Sequence, residues 1–163
     1  MNPYLKQYQQ TQVQTASPEA ILIMLYDGAI QFLNKSLKAM QEKNIQESHN
    51  NNISAQNIIT EFMNTLDIEI GGDVAKNLYS LYEYLHFRLV QANIHKNPAM
   101  IEEVLHHLKE LKQTWEEAIK IANKEKYDKR SDSYSDESSD EENDDNDDDE
   151  EEEEEEIKHG FVG

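Results

Sequence analysis

Between Pro98 and Ala122 the apolar residues Ile101, Val104, Leu108, Leu111, Trp115, Ala118 and Ala122 recur in alternating steps of three and four. That spacing draws one stripe along an α-helix, and it cannot serve a strand, whose side chains repeat every second residue. A helix carrying such a stripe is stable only when other helices cover it. The same rhythm returns upstream in Leu78, Tyr82, Leu85, Leu89 and Ala92.

Boundary signals divide the chain into segments of matching length. Ser17-Pro18-Glu19 reads as an N-cap, a proline at the first helical position and an acid in the first turn. The helix it opens is expected to reach about Gln41. A second segment, from about Ile45 to Thr65, begins polar and becomes amphipathic through Ile58, Ile59, Phe62, Met63 and Leu66. Gly71-Gly72 then interrupts the chain, with Asp73 placed to cap a third helix. Asn97-Pro98 repeats the cap-plus-proline signal before the fourth. Four segments of roughly 20 residues with short connections predict an all-α fold, an antiparallel four-helix bundle.

Charge sets the outer limits of that bundle. Residues 1–130 hold 14 Lys/Arg against 16 Asp/Glu, whereas residues 131–163 hold 18 acids and one Lys. The net charge of −19 thus belongs almost wholly to the end of the chain. A stretch such as "SDSYSDESSDEENDDNDDDEEEEEEE" cannot bury a core, so it is expected to be a disordered acidic tail that keeps molecules apart in solution. The expected organisation is a short N-terminal arm (1–16), a four-helix domain (17–126) and the tail (127–163).

Composition also removes several functions. The near-neutral body has no basic cluster to track phosphates, so nucleic acid is not an expected partner. The longest wholly apolar run, Ile21 to Leu25, is far short of the roughly 20 residues a spanning helix needs, so no direct membrane insertion is expected. "MNPYLKQYQQTQ" has no apolar core to act as a secretion signal, which makes the cytosol the expected compartment. Without cysteine there is no disulfide, thiolate metal site or thiol nucleophile.

Two Glu-x-x-His spacings, Glu83/His86 and Glu103/His106, match those of di-iron bundles. With Val104 and Leu108 on the fourth stripe, Glu103 and His106 are expected to face away from the centre, as is Glu83 beside Leu85. No metal ligands are therefore assigned. Neither the adjacent His106-His107 nor the acidic tail forms a defined acid-base pair or calcium loop, and no glycine-rich phosphate loop is present. No catalytic residue and no cofactor is expected.

The stretch "TASPEAILIMLYDGAIQFL" carries apolar groups on more than one helical face. Ile21, Leu25, Gly28 and Phe32 are expected to face the bundle centre, leaving Leu22, Tyr26, Ala29 and Leu33 round the side. Gly28 costs about 1 kcal/mol relative to Ala inside a helix. Its presence suggests a close neighbour, either a helix of the bundle or a bound segment.

Three blocks in order, "YLKQYQQTQVQTASPEAILIMLYDGAIQFL", "GGDVAKNLYSLYEYLHFRLVQAN" and "IEEVLHHLKELKQTWEEA", resemble the flagellar export chaperones that bind flagellin, the FliS-type family. The resemblance spans Tyr4 to about Ala122 and implies a non-enzymatic chaperone of the bacterial cytosol. It also implies that the client is the disordered C-terminal region of flagellin, held in hydrophobic grooves and kept from polymerising before export. The flagellar export gate is the second partner implied. Homodimerisation of the free protein is left open, and the acidic tail departs from the family pattern.

Given that resemblance, the client-binding candidates are Leu22, Tyr26, Ala29, Leu33, Ile58, Phe62, Tyr79 and Tyr84. The arm residues Tyr4, Leu5, Tyr8 and Val13 are expected to rest over part of the groove when no client is bound, and Tyr4 is the candidate contact for the export gate.

Overall fold

The computed structural model describes residues 15–140 together with Pro3, Tyr4, Gln7 and Gln10, and side chains as far as Ser133. Four helices are described: α1 (Pro18–Gln41), α2 (Ile45–Thr65), α3 (Ile68–His95) and α4 (Pro98–Asp140). Among the described residues there is no strand. The chain divides into two compact units, residues 1–121 and 122–163.

The Ser17 and Asn97 caps act where the sequence places them. Ser17 accepts from the Ala20 backbone amide at 3.2 Å, with Pro18 beginning the helix. Asn44 caps α2 through Glu47, and Asn97 accepts from Ala99 at 3.0 Å at the start of α4. Each satisfies an amide that a helix end leaves without an internal partner. The start of α3 differs from expectation. Asp67, not Asp73, is its cap, and the helix begins at Ile68. The glycine pair kinks α3 rather than preceding it, because Gly72 adopts φ 54° and ψ −134°, a conformation that side-chain-bearing residues avoid.

Within the first unit the core contains Tyr26, Ala29 and Leu33 from α1, Ala55, Ile59 and Phe62 from α2, Tyr82, Leu85, Leu89 and Ala92 from α3, and Ile101, Val104, Leu105 and Leu108 from α4. The stripes expected on α3 and the first half of α4 are thus the buried ones. On α4 burial weakens towards the C-terminal side: Leu111 and Trp115 are partly covered, while Ala118 is exposed. The faces of α1 are the reverse of expectation. Tyr26, Ala29 and Leu33 are fully buried, whereas Ile21, Leu25, Gly28 and Phe32 are only half-covered.

Polar groups are also built into the core. Ser36 of α1 donates to the Ser48 carbonyl of α2 at 2.9 Å. Asn52 of α2 donates to the Leu89 carbonyl of α3 at 3.2 Å and accepts from Gln56 at 2.7 Å. Among the described residues no buried side-chain polar atom lacks a partner. Satisfied groups of this kind cost little, whereas orphaned ones would cost about 1–3 kcal/mol each.

In the second unit α4 continues through the boundary expected at 126 to Asp140, and its side chains are exposed as far as they are described. Lys124, Glu125, Lys126 and Lys129 favour helix intrinsically, and Glu125 lies four residues before Lys129, the favourable order for an ion pair along a helix. The rest of the expected tail, residues 141–163, lies outside the described residues, as do Leu5, Tyr8 and Val13 of the arm.

Two glycines should respond oppositely to alanine. A Cβ at Gly72 meets no atom within 4 Å, so Gly72→Ala tests backbone strain alone and should cost about 1–3 kcal/mol. A Cβ at Gly28 would lie 3.4 Å from the Ile58 Cδ1 atom, ordinary contact, so Gly28→Ala should stabilise the free protein by about 0.5–1 kcal/mol through helix propensity. Urea unfolding of both variants checks the pair. A Gly72→Ala protein as stable as the parent would contradict the strained kink.

Candidate apolar docking surface

The side chains at the middle of the bundle decide what can remain outside it. The Tyr26 and Tyr82 hydroxyls hydrogen-bond to each other at 2.5 Å, and Trp115 Nε1 donates to the Tyr26 oxygen at 3.1 Å. Phe62 stacks on Tyr26 with ring centroids 4.4 Å apart and lies 5.3 Å from the Tyr82 ring. Burial, followed by the influence of Tyr82, pushes the ionisation of Tyr26 far above that of an ordinary tyrosine. Burial also raises Tyr82, against the hydrogen bonds from Tyr26 and Trp115. Tyr26, Ala29, Leu33 and Phe62 are therefore core residues in this structure, not groove lining. α1 carries apolar groups on two faces, and the one holding Tyr26 is the buried one because Tyr82 and Trp115 satisfy its hydroxyl within the core.

The other candidates lie nearer the surface. Leu22 and Ile58 are half-covered and pack against the core. Gly28 is the point where Ile58 comes close to α1, so its expected neighbour is a side chain of the adjoining bundle helix. Along α1, Leu25, Gly28 and Phe32 follow helical spacing and are all partly exposed, forming a first apolar strip beside Ile58.

A second strip runs along the outside of α3. Tyr84, Phe87 and Ile94 are exposed at relative positions i, i+3 and i+10, close to one helical face. Phe87 is 55% and Ile94 68% exposed. Ser80, Glu83, Tyr84 and Phe87 line a depression of ≈ 330 Å³. Tyr79 is exposed nearby in sequence, and Ile70 and Val74 flank the kink. Sequence reasoning missed Phe87 and Ile94. Their spacing from Tyr84 was visible, but the stronger stripe through Tyr82, Leu85 and Leu89 accounted for α3 as a bundle helix without them.

Polar anchors hold the second strip in place. The Tyr84 hydroxyl donates to Glu103 Oε1 at 2.5 Å, and Arg88 donates to Glu103 Oε2 from Nε at 2.9 Å and from Nη2 at 2.7 Å. The Tyr84 hydrogen bond, then that of Arg88, holds the Glu103 carboxyl below its usual range, and the same Glu103 contact raises the Tyr84 phenol. Glu103 thus bonds to α3 at the helix-helix seam while staying partly exposed. It lies away from the core, and its neighbours on α3 complete a polar cluster that the sequence reading did not include. His106 instead pairs with Glu110 on the exposed face of α4 at 3.2 Å. At the α1–α4 seam Lys112 contacts Asp27 at 2.6 Å, and that bond holds its ammonium above the usual lysine range. No group of three or more potential metal-ligating side chains converges among the described residues.

The sequence profile described as flagellar protein FliS matches residues 1–122. The chain is 34% identical over 126 residues to the flagellar secretion chaperone FliS of Bacillus subtilis, covering 77% of this chain and 92% of that protein. It is 35% identical over 117 residues to the flagellar secretion chaperone FliS of Vibrio cholerae, covering 72% and 86% respectively. A crystal structure of a bacterial flagellar chaperone superposes with a TM-score of 0.60 at 17% identity, covering 72% of this chain and 98% of that one, a likeness of fold.

The buried tyrosines give the protein a pH limit. Both are held protonated in the folded state beyond the point near pH 10 where an unfolded tyrosine ionises. Their contribution is therefore complete below about pH 10 and falls as pH rises above it, because the unfolded chain then releases protons the fold retains. Urea midpoints at pH 8 and at roughly pH 11 should differ more in the parent than in a Tyr26→Phe/Tyr82→Phe variant. Equal losses in both would remove the tyrosine pair as the cause.

Proposed function

The chain belongs to the flagellar protein FliS family, and from that premise we propose that its exposed apolar strips receive the disordered C-terminal region of flagellin as helices. The protein is a flagellar secretion chaperone, not an enzyme. In the proposed role it keeps flagellin from polymerising in the bacterial cytosol and aids its delivery to the flagellar export gate. No described helix is long and apolar enough to cross a membrane.

The observation that carries this reading is the exposure of Tyr84, Phe87 and Ile94 on one line of α3 while the core behind them is closed and its polar groups are satisfied. Apolar groups at helical spacing suit helix-in-groove recognition. A disordered client must be ordered as it binds, so burial has to exceed that cost. Removal of 1,000 Å² of apolar surface contributes roughly 25 kcal/mol before ordering and association are subtracted. One short patch would not suffice, which favours a client that follows both the α3 strip and the strip of Leu25 and Phe32 beside Ile58. The core positions Tyr26, Ala29, Leu33 and Phe62 would act indirectly, by holding these helices in place.

Within the same proposal, the body formed by residues 17–126 carries the client and the arm at 1–16 covers part of an apolar strip until the client arrives. Tyr4, largely exposed, remains the proposed contact with the export gate. Uncovered apolar strips also provide a route to homodimerisation, which client binding would oppose. The acidic tail serves solubility in this reading.

Calorimetric titration with the C-terminal segment of the same organism's flagellin tests the client assignment. Phe87→Asp and Ile94→Asp should each weaken binding by about tenfold or more, equivalent to about 1.4 kcal/mol, while leaving the melting temperature nearly unchanged. Parent-like affinity in both would exclude the α3 strip. Removal of residues 1–12 should increase both flagellin-segment affinity and apolar-dye binding; if neither changes, the arm does not act as a cover.

A further inference from the structure

At the end of the first unit where α1 passes into α2 and α3 into α4, a small pocket of ≈ 300 Å³ is lined by Met40, Lys43, Ile45, Ser48 and Lys96. None of these residues belongs to the two strips. Met40 and Ile45 provide apolar surface, and Ile45 is 66% exposed. Lys43 and Lys96 supply cations, and no carboxylate is among the lining residues. The nearby acids Glu42 and Glu47 line a separate depression with Lys35, Lys38, Ala39 and Asn51. The lining therefore combines apolar contact with two lysines and no carboxylate.

The backbone adds a second observation. Lys43 and Lys96 have φ values of 60° and 50° and are the non-glycine residues of positive φ among those described. Lys96 follows α3 as its left-handed cap, while Lys43 lies in the turn after α1. Glycine is the usual occupant of such positions because it has no Cβ to strain. Both departures occur at the pocket wall. Lys96 is further held by donation to Asn93 at 2.7 Å, and Asn93 in turn meets the His49 ring at 2.7 Å. A favourable interaction between lysine and the negative ends of α1 and α3 is one source of compensation. It does not require apolar groups between the two lysines.

We propose that this pocket receives the carboxyl end of a polypeptide, with its last apolar side chain against Met40 and Ile45 and its carboxylate between Lys43 and Lys96. The volume is too small for a whole client helix and suits one or two side chains. Two lysines with no carboxylate among the lining residues call for an anionic group, and a chain end supplies one together with an apolar last residue for the adjacent wall. A carboxylate held by two ammonium groups would form charge-assisted hydrogen bonds. This inference is independent of flagellin as client, because the site is separate from the strips and its recognition elements require only a chain end.

The test uses the full protein and an N-acetylated hexapeptide of glycine and serine ending in two leucines. Binding is read from methionine methyl resonances, with Met40 assigned by Met40→Leu. The free-acid peptide should shift the Met40 signal saturably, while its C-terminal amide should bind at least about tenfold more weakly through loss of the charge-assisted contacts. Lys43→Gly/Lys96→Gly should weaken the acid similarly without lowering the melting temperature, since glycine accepts both backbone conformations. An amidated peptide with glutamate at its last position supplies a side-chain carboxylate and should also bind more weakly than the free acid. Equal affinities of the acid and simple amide, no saturable Met40 shift, or unchanged binding by the double-glycine variant would overturn the proposal. Equal binding of the glutamate amide and the free acid would overturn the chain-end assignment. A flagellin segment can fail to bind the strips while this peptide still binds the pocket, and the reverse result is equally distinguishable.

Discussion

Tyr26, Phe62, Tyr82 and Trp115 bring one aromatic side chain from each helix into a connected cluster. Stacking uses the ring faces, while the two hydroxyls and the indole N–H satisfy one another. This arrangement lets large amphipathic residues enter the core without leaving an unmet polar group behind. It sets the rotation of α1: with Tyr26 inward, Ala29 and Leu33 follow it one and two helical turns later, and Leu25 and Phe32 are carried towards the boundary.

The apolar surface outside the bundle follows from that closure. Once the tyrosine cluster and the buried Asn52, Gln56, Ser36 and Ser48 bonds have fixed the four helices, Tyr84, Phe87 and Ile94 stay exposed on the outside of α3. Arg88 and Glu103 then hold one side of the α3 strip, while Asp27 and Lys112 secure the α1–α4 seam. The resulting body joins a well-satisfied interior to exposed anchors. The proposed client binding rests on that contrast.

Helix number and most boundaries were legible because their signals are local. Ser17 and Asn97 cap with their own side chains, and their following prolines cannot continue a preceding helix in the ordinary way. The stripe from Leu78 to Ala92 likewise identifies α3 without information from the rest of the chain. The start of α3 was less legible. Asp67 lies before two isoleucines and could be mistaken for part of a connection, while Gly71-Gly72 supplies a stronger breaker signal even though it forms an internal kink. On the surface, the Tyr84–Phe87–Ile94 line has helical spacing in the sequence, but exposure depends on which face the other three helices cover.

Amino-acid order by itself determined a helical chain of four segments, excluded a cysteine-based core and carried the family resemblance. Packing decided which of the two α1 faces became interior, because burying Tyr26 requires Tyr82, 56 residues away, and Trp115, 89 residues away, to meet its oxygen. It also turned Glu103 towards Arg88 and Tyr84 and left Phe87 outside. The reason is geometric: periodicity places side chains on a helical face, but only the neighbouring helices determine whether that face meets protein or water.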